Sequence, residues 1–278
     1  MIAANVCAAE TLERTGRPCL YRIHDRPAPA KLEALHEFLL TLDLKLSRAK
    51  DILPKHFNAI LLKVRDTPHE HLVNTLTLRT QAKAEYAPEN IGHFGLGLAR
   101  YCHFTSPIRR YADILVHRAL IAALSLGEGA LPPTAGRDFA RIGQHVSQTE
   151  RRAEAAERDA AERYMTVYLA ERVGATFDAR ISGVTRFGLF VSLEETGAEG
   201  LIPMRALPGE RYRFDEAHHA LRGRRAVYRL GDLIEVRLAE ADRITGALAF
   251  EPAQPPSPEG RPRPAAKARR ARGASRRP

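Results

Sequence analysis

The most informative stretch of this 278-residue sequence is His103-Phe104-Thr105-Ser106-Pro107-Ile108-Arg109-Arg110-Tyr111-Ala112-Asp113. It predicts the start of a helix, because Ser106 can accept a backbone N–H as the N-cap. Pro107 then occupies the first helical position, where its missing N–H costs nothing. The apolar positions that follow recur at helical spacing and predict one buried face: Ile108, Ala112, Leu115, Ala119 and Ala122. The helix is expected to end near Ser125.

Two arginines occupy the first turn of this predicted helix. The helix dipole is positive there, and an exposed cation costs about 0.3–1 kcal/mol. Such a departure from local preference suggests a functional site, and a helix N-terminus with arginines suits phosphate. The structural alternative is that Arg109 pairs with Asp113 and that Arg110 is only solvated. The residues alone leave both interpretations open.

The stretch resembles the signature of the ribonuclease R and ribonuclease II family of processive 3′-to-5′ exoribonucleases. The resemblance covers Thr105 to Asp113, continues through Val116-His117-Arg118, and includes the upstream run from Pro88 to Leu96. It extends over most of residues 1–251. The opening run, Met1 to Glu10, resembles an internal helix of the family's catalytic RNB domain. The sequence is therefore expected to be the C-terminal portion of a longer protein.

Composition and charge limit the class of protein. The 44% hydrophobic content supports a sizeable core, and the net charge is +10. Residues 252–278 hold eight lysines or arginines against Glu259 alone, so this tail accounts for +7 and the folded body for only about +3. The sequence lacks a membrane-length apolar run and a signal peptide, and its three cysteines have no metal-type spacing. We expect a cytoplasmic protein with reduced thiols and no membrane partner.

The predicted fold class is α+β. Residues 1–173 are predicted to be mostly helical and to form the C-terminal part of an RNB catalytic domain. Residues 21–27 form a strand-like piece, and helices are predicted over 29–42, 48–63, 72–86 and 137–173. Along the last helix, an apolar stripe indicates packing: Ala153, Ala156, Ala160, Tyr164 and Val167.

Residues 174–251 are predicted to form an S1-type oligonucleotide-binding barrel. Alternating apolar residues predict five short strands, over 177–184, 185–193, 199–203, 231–238 and 246–250. In such barrels bases stack on aromatic side chains, each worth about 1–3 kcal/mol. Phe187 and Phe190 are three apart, so alternation sends them to opposite faces unless Gly188 marks a bulge. One is expected in the core, and Phe187 beside Arg186 is the stronger candidate for stacking.

Two further segments carry positive charge. The insertion at residues 212–225 fits the same resemblance, and Arg222, Arg224 and Arg225 are candidates to contact phosphates. A solvated loop is the alternative, because residues 175–251 contain 11 arginines against 12 acids. Residues 252–278, with seven prolines, are predicted to be disordered and to bind RNA phosphates in a salt-dependent way.

The resemblance also implies a chemistry and a set of partners. Family hydrolysis uses Mg²⁺ held by an aspartate cluster, which in the family precedes the point where this sequence begins. Within the sequence the aspartates are scattered singly, so we expect no metal ligands here. Arg109 is the implied catalytic residue, which would contact the scissile phosphate. Four residues are implied to contact RNA: Ser106, Arg110, Tyr111 and, more weakly, Glu157. The expected partner of a monomeric protein is single-stranded RNA, including ribosome-associated RNA.

Three interpretations remain open. The chain is the C-terminal portion of a 3′-to-5′ exoribonuclease that releases nucleoside 5′-monophosphates, or a single-stranded RNA-binding module without catalysis, or a non-functional remnant. The missing metal ligands argue against independent hydrolysis.

Overall fold

The chain divides into two compact units. A computed structural model describes residues 1–47, 52–67 and 69–253. The first unit comprises Met1–Met165 with Ile244–Gly246, and the second comprises Thr166–Arg243 with the segment that begins at Ala247. The α+β class and the closed five-stranded barrel are confirmed. The predicted disordered tail lies outside the described residues from position 254 onward, and the predicted domain bounds stay predictions.

The first unit is mostly helical. Its helices are α1 (Ile2–Arg14), α2 (Pro29–Leu40), α3 (Pro54–Val64), α4 (Glu70–Thr80), α5 (Tyr111–Leu124) and α6 (Phe139–Ala170), the last of which continues into the second unit. Two short strands, β1 (Tyr21–Ile23) and β2 (Glu85–Ala87), pair antiparallel with Arg22 opposite Tyr86. Leu12, Leu115 and Val116 bring α1 and α5 into one buried core with Phe139. This core supports the loop that precedes α5.

Three of the predicted helices differ from the structure. The helix predicted over 72–86 ends at Thr80, and Tyr86 lies in β2, where its backbone N–H donates to Ser147 Oγ at 2.9 Å. Pairing with a distant strand outweighs helical periodicity here. The helix predicted from residue 48 begins at Pro54, and residues 48–51 lie outside the described residues. The apolar stripe predicted to pack along α6 is exposed, as is every residue of α6 between positions 151 and 164.

The second unit is built on a five-stranded closed barrel. Its strands are β3 (Thr176–Thr185), β4 (Gly188–Leu193), β5 (Glu199–Pro203), β9 (Leu233–Ala241) and β10 (Leu248–Pro252). They follow the order β10-β5-β4-β3-β9, and β10 closes the barrel by pairing with β9. Alternation turns one face of each strand inward, and the interior contains these fully buried side chains: Ile181, Leu189, Val191, Ile202, Leu238 and Phe250.

The insertion between β5 and β9 is a small sheet and not an irregular loop. Its strands β6 (Arg213–Asp215), β7 (Ala220–Arg222) and β8 (Val227–Arg229) pair antiparallel in that order. Leu221 and Tyr228, which face each other across β7 and β8, are both buried. The insertion therefore has its own apolar side, which holds its arginines on an ordered scaffold.

Two simpler expectations concern membranes and thiols. Within the described residues, no helix combines the length and the apolar character that crossing a membrane requires. All three cysteines are free thiols, and Cys19 and Cys102 are buried. The hydrogen bond to Cys102, together with burial, raises the pKa of the Cys19 thiol well above its usual value. Such a thiol is a poor nucleophile.

Candidate nucleic-acid interface

The loop before α5 is a turn and not the first turn of a helix. The helix begins at Tyr111, and the backbone N–H groups of Arg109 and Arg110 donate to the carbonyl oxygen of Ser106 at 3.3 and 3.2 Å. The predicted N-cap role of Ser106 is therefore wrong, as is the inward position of Ile108, whose side chain is fully exposed. The cause is local, because the Ser106 N–H donates to Asp113 Oδ2 at 2.7 Å and the carboxylate fixes the turn.

Asp113 is the buried centre of this turn. Its side chain is fully buried and accepts two hydrogen bonds from Arg110, Nε to Oδ1 at 2.8 Å and Nη2 to Oδ2 at 2.9 Å. The pairing predicted as the structural alternative is thus reversed, because Arg110 and not Arg109 binds the aspartate. Arg110 has an extended backbone and its guanidinium can fold back over α5. The positive charge of Arg110 is therefore paired with Asp113 within the fold.

Arg109 points away from this pair. Its side chain is exposed and has no hydrogen-bond or ion-pair partner within 1–47, 52–67 and 69–253. Tyr111, the first residue of α5, is 52% exposed, and Ser106 is half-buried. The turn therefore presents one unpaired guanidinium and one aromatic ring to solvent. These groups suit a phosphate and a base or sugar, respectively.

A continuous tract of rings lies in the same unit. His24 stacks on His93 with centroids 5.1 Å apart, and Tyr101 contacts His93 at 5.5 Å and His103 at 5.7 Å, edge to face in both cases. His103 in turn contacts Tyr86 at 5.6 Å, and the Tyr86 hydroxyl lies 2.8 Å from His103 Nδ1. We call these five residues the ring tract. Sequence reasoning gave none of them a role, although His93 and His103 lie in the quoted motifs.

Buried hydrogen bonds hold the ring tract to its surroundings. Asn5 of α1 is 3% exposed, donates to the Tyr101 hydroxyl at 2.8 Å and accepts the Phe104 N–H at 3.0 Å. His117 of α5 stacks on Phe104 at 4.3 Å. Arg22 lies 4.6 Å above the Tyr86 ring and pairs with Glu150 of α6 at 2.7 Å. Residues of α1, α5, α6 and β1 therefore restrain the ring tract and the neighbouring Phe104.

The environment of the tract keeps His93, His103 and Tyr86 uncharged at neutral pH. Burial lowers the pKa of His93 to about 4, with help from His24 and Arg22. Burial also lowers the pKa of His103 to about 4, and the positive charges of Arg110 and Arg22 act in the same direction. Burial raises the pKa of Tyr86 to about 12. His93 and His103 are thus neutral imidazoles, and Tyr86 is a protonated phenol.

The barrel presents a second candidate surface. Phe187 is 58% and Phe190 37% exposed, and their rings meet edge to face at 6.0 Å. The prediction that one of them is in the core is wrong, because Phe187 lies in the turn before Gly188, where strand alternation does not apply. A register shift between Ile181 and Gly183 of β3 accompanies this arrangement. The exposed Arg186 precedes the pair in the same turn.

The arginines of the insertion are not equivalent. Arg222 binds Asp215 at 2.6 Å, so its charge is shared, and the hydrogen bond from His218 is the main reason that the pKa of Asp215 falls to about 2. Arg224 and Arg225 donate their backbone N–H groups to the Glu210 carboxylate. The side chains of both are exposed and have no partner in the part of the chain that the structure describes.

Glu157 and the aspartates complete the predicted residues. Glu157 lies on the exposed stretch of α6 and has no side-chain partner among the described positions. No group of three or more His, Cys, Asp or Glu side chains within the described residues could hold a metal ion. These residues do not fit Mg²⁺. The expectation that the metal ligands lie outside this sequence stays a prediction.

Replacing Asp113 tests the turn. Asp113→Ala leaves the half-buried Arg110 guanidinium and the Ser106 N–H without their acceptor, so we expect a loss of about 3 kcal/mol in the free energy of unfolding. Asp113→Asn keeps one acceptor oxygen and should lose less. Urea unfolding followed by circular dichroism measures both. Arg141→Ala, which removes an exposed pair with Asp138, is the control and should cost less than about 0.5 kcal/mol. Equal losses would contradict a central role for Asp113.

Mild acid should destabilise the fold through the two histidines of lowered pKa. They titrate near 4 in the folded chain and near 6.5 when unperturbed, so the unfolded state binds more protons between those values. The free energy of unfolding therefore falls as the pH drops from about 7 to 5. After discounting for partial exposure, each histidine contributes about 1 kcal/mol to that loss. Urea unfolding at stepped pH measures it.

The matched variants for this prediction are His103→Phe and His145→Phe. His103→Phe removes one of the two groups and should make the pH dependence shallower. His145 is an exposed histidine on α6, and His145→Phe should keep the dependence of the parent chain. If both variants keep the full dependence, His103 does not contribute to it.

Comparisons with known proteins agree with this architecture. Two known families match the chain, the RNB domain over residues 1–126 and the S1 RNA binding domain over residues 171–251. Ribonuclease R of Aquifex aeolicus (strain VF5) is 44% identical over 253 residues, which are 90% of this chain and 36% of the relative. Ribonuclease R of Escherichia coli (strain K12) is 39% identical over 248 residues, which are 86% of this chain and 30% of that protein.

A solved structure is similar over the same span. It is Mycoplasma genitalium RNase R in complex with ribose methylated single-stranded RNA, with a TM-score of 0.83 and 31% identity over 91% of this chain and 40% of that chain. The chain spans about a third of the length of the curated relatives named above. These matches cover both compact units in the observed order. The chain is therefore a ribonuclease R-like protein, with an RNB domain followed by an S1 RNA-binding domain.

Proposed function

We propose that this chain binds single-stranded RNA and, as part of a ribonuclease R-like polypeptide, acts in 3′-to-5′ hydrolysis of RNA to nucleoside 5′-monophosphates. The observation that carries the proposal is the exposed pair Phe187 and Phe190 on the five-stranded barrel. Two exposed phenyl rings on an S1-type barrel are a stacking platform for bases. The complex of the Mycoplasma genitalium relative with single-stranded RNA supports this choice of ligand.

The turn before α5 is the proposed contact for the reacting end of the RNA. Arg109 is exposed and unpaired within the described residues, so it can grip a phosphate with two parallel hydrogen bonds. Ser106 and Tyr111 lie in the same turn. Arg110 has a structural role, since its guanidinium donates to Asp113 and stabilises the turn. The catalytic role proposed for Arg109 is to stabilise negative charge that develops on the phosphate.

A binding module without hydrolysis is the second candidate. The absence of a metal-ligand group from the described residues favours it. Under either candidate we propose a monomer in the cytoplasm that binds single-stranded RNA, including ribosome-associated RNA. Hydrolysis shortens the RNA whereas binding alone does not. An assay that follows both complex formation and RNA length therefore distinguishes the two candidates.

Removing the aromatic pair should weaken RNA binding. Phe187→Ala and Phe190→Ala each remove a stacking surface worth about 1–3 kcal/mol per base, so affinity for a short oligouridylate should fall roughly 5- to 150-fold. Fluorescence anisotropy of a labelled oligomer measures it. Because stacking is uncharged, the dependence of affinity on salt should stay as in the parent chain.

Leu233→Ala is the matched control for the aromatic variants. Leu233 is 41% exposed, close to the 37% of Phe190, and it lies on β9, which does not pair with β4. The control should keep the parent affinity. An equal loss in the control, or no loss in either aromatic variant, would show that the pair is not a binding surface.

Hydrolysis is tested directly with this chain. The purified protein is incubated with 5′-labelled single-stranded RNA and Mg²⁺, and both the mobility shift and the ladder of shortened products are followed. We expect a shift without shortening, because the described residues offer no metal-ligand group. Stepwise 3′ shortening that disappears in Arg109→Ala would overturn this expectation and reveal a metal site in the chain.

The role of Arg109 needs an active enzyme. In a complete homologous ribonuclease R, the equivalent of Arg109→Ala should lower turnover much more than RNA affinity, because the contact is made mainly as charge develops. Equal losses of turnover and affinity would show that the arginine only positions the substrate.

A further inference from the structure

Two half-buried histidines of the ring tract have no role in the function proposed above. His93 and His103 lie on either side of Tyr101, each in edge-to-face contact with its ring at 5.5 and 5.7 Å. Tyr101 is itself buried, and Asn5 holds its hydroxyl. The two imidazoles are therefore fixed to one support. The question is what each free ring nitrogen can bind.

The hydrogen bonds of His93 determine its tautomer. Its Nδ1 lies 3.2 Å from the backbone N of Leu96. A backbone N–H can only donate, so Nδ1 carries no proton and accepts. In a neutral imidazole the proton must then be on Nε2. Within the described residues this Nε2–H has no acceptor, since the side-chain hydrogen bond of His93 is made at Nδ1.

The tautomer of His103 follows from its partner Tyr86. Nδ1 of His103 and the Tyr86 hydroxyl are 2.8 Å apart, and neither makes another side-chain hydrogen bond in the described part of the chain. If the phenol donates to Nδ1, only the Nε2–H lacks a partner. If Nδ1–H donates to the phenol, both the phenol proton and the Nε2 lone pair lack one. The first arrangement leaves fewer groups unsatisfied and puts the proton on Nε2.

His93 and His103 are each half-buried, so part of each side chain is open to solvent. The Nε2–H groups are the ring donors for which no hydrogen-bond partner is found within the described residues. They are donors that an external acceptor can approach.

The surroundings favour an anionic acceptor. Arg22 and Arg110 are the cations whose charges act on His103, and Arg22 also acts on His93. The two nearby carboxylates, Glu150 and Asp113, are each engaged by one of these arginines. The local field is therefore positive or balanced, with no unpaired carboxylate to repel an anion. A phosphodiester oxygen carries negative charge and accepts hydrogen bonds, so it fits this field.

We propose that His93 and His103 bind the phosphodiester backbone of single-stranded RNA through their Nε2–H groups, as two neutral donors held on either side of Tyr101. The proposal rests on the RNA-binding function proposed above and adds a second kind of contact to it. Charged contacts release counterions from RNA, whereas a neutral donor does not. The histidines therefore position the strand with little dependence on salt.

The salt dependence of binding tests the proposal. Each lost hydrogen bond should lower affinity about fivefold, so His103→Phe and His93→Phe should each show that loss for a short oligouridylate. The slope of log affinity against log salt should stay that of the parent chain. Arg109→Ala should instead flatten the slope by about 0.7, the value for one charged contact on a single strand. His145→Phe, an exposed histidine of α6, is the control.

A second variant avoids replacing the histidine. Tyr86→Phe removes the hydroxyl that bonds His103 Nδ1 and keeps the ring that packs against it. Affinity should fall about two- to threefold, because the proton is then shared between both ring nitrogens. The ¹⁵N shifts of His103 should change from one tautomer to a mixture. In the parent chain, oligouridylate should shift the Nε2–H resonances of His93 and His103 downfield.

Each outcome decides one question. A DNA oligomer of the same length should show the same fold-loss in His103→Phe, because phosphate is common to both; a loss confined to RNA would assign the contact to the 2′-hydroxyl and overturn the phosphate assignment. Binding that depends on Phe187 while both histidine resonances stay unmoved would overturn this inference and leave the proposed function intact. Failure of the parent chain to bind any oligomer would overturn both.

Discussion

The buried carboxylate of Asp113 is the constraint on which the first unit depends. It accepts hydrogen bonds from the Arg110 guanidinium and the Ser106 N–H at distances of 2.7–2.9 Å, so the chain must turn sharply before α5. A fully buried charge is costly unless it is paired and hydrogen-bonded, and here both oxygens are engaged. The same contacts leave Arg109 outside. The Asp113 carboxylate thus gives Arg110 a structural role and leaves Arg109 available to bind a ligand.

The ring tract depends on the same arginine from another side. The charge of Arg110 adds to burial in keeping His103 neutral, and Arg22 acts in the same sense from above the Tyr86 ring. Each guanidinium is held in place by its own carboxylate, Arg110 by Asp113 and Arg22 by Glu150. The neutral state of the histidines is therefore a property of the fold. Their hydrogen bonds to Leu96 N–H and Tyr86 determine which nitrogen holds the proton.

Sequence patterns predict the elements that depend on neighbouring residues. They mispredict positions whose structure depends on contacts with distant segments. Strand alternation predicts the barrel, because each strand can be recognised from the alternation of its own residues. Helical periodicity predicts a helix at Tyr86, because no residue near it in the sequence indicates its pairing with Arg22. Ser106 fits an N-cap by type, yet a side chain seven residues later takes its N–H. The ring tract comes from four separate segments, so no spacing could reveal it.

The distribution of charge limits how the folded body can hold RNA. Of the net charge of +10, +7 belongs to residues 252–278, so the body is close to balanced. Several of its arginines, such as Arg22, Arg110 and Arg222, are bound to carboxylates. A body of this kind cannot depend on counterion release for a strong grip. Stacking on Phe187 and Phe190 and the uncharged N–H donors are the contacts proposed to add to those of arginines that are unpaired within the described residues, such as Arg109, Arg224 and Arg225. Such contacts respond to the shape and flexibility of a single strand, and through them a nearly neutral surface can serve the proposed RNA-binding function.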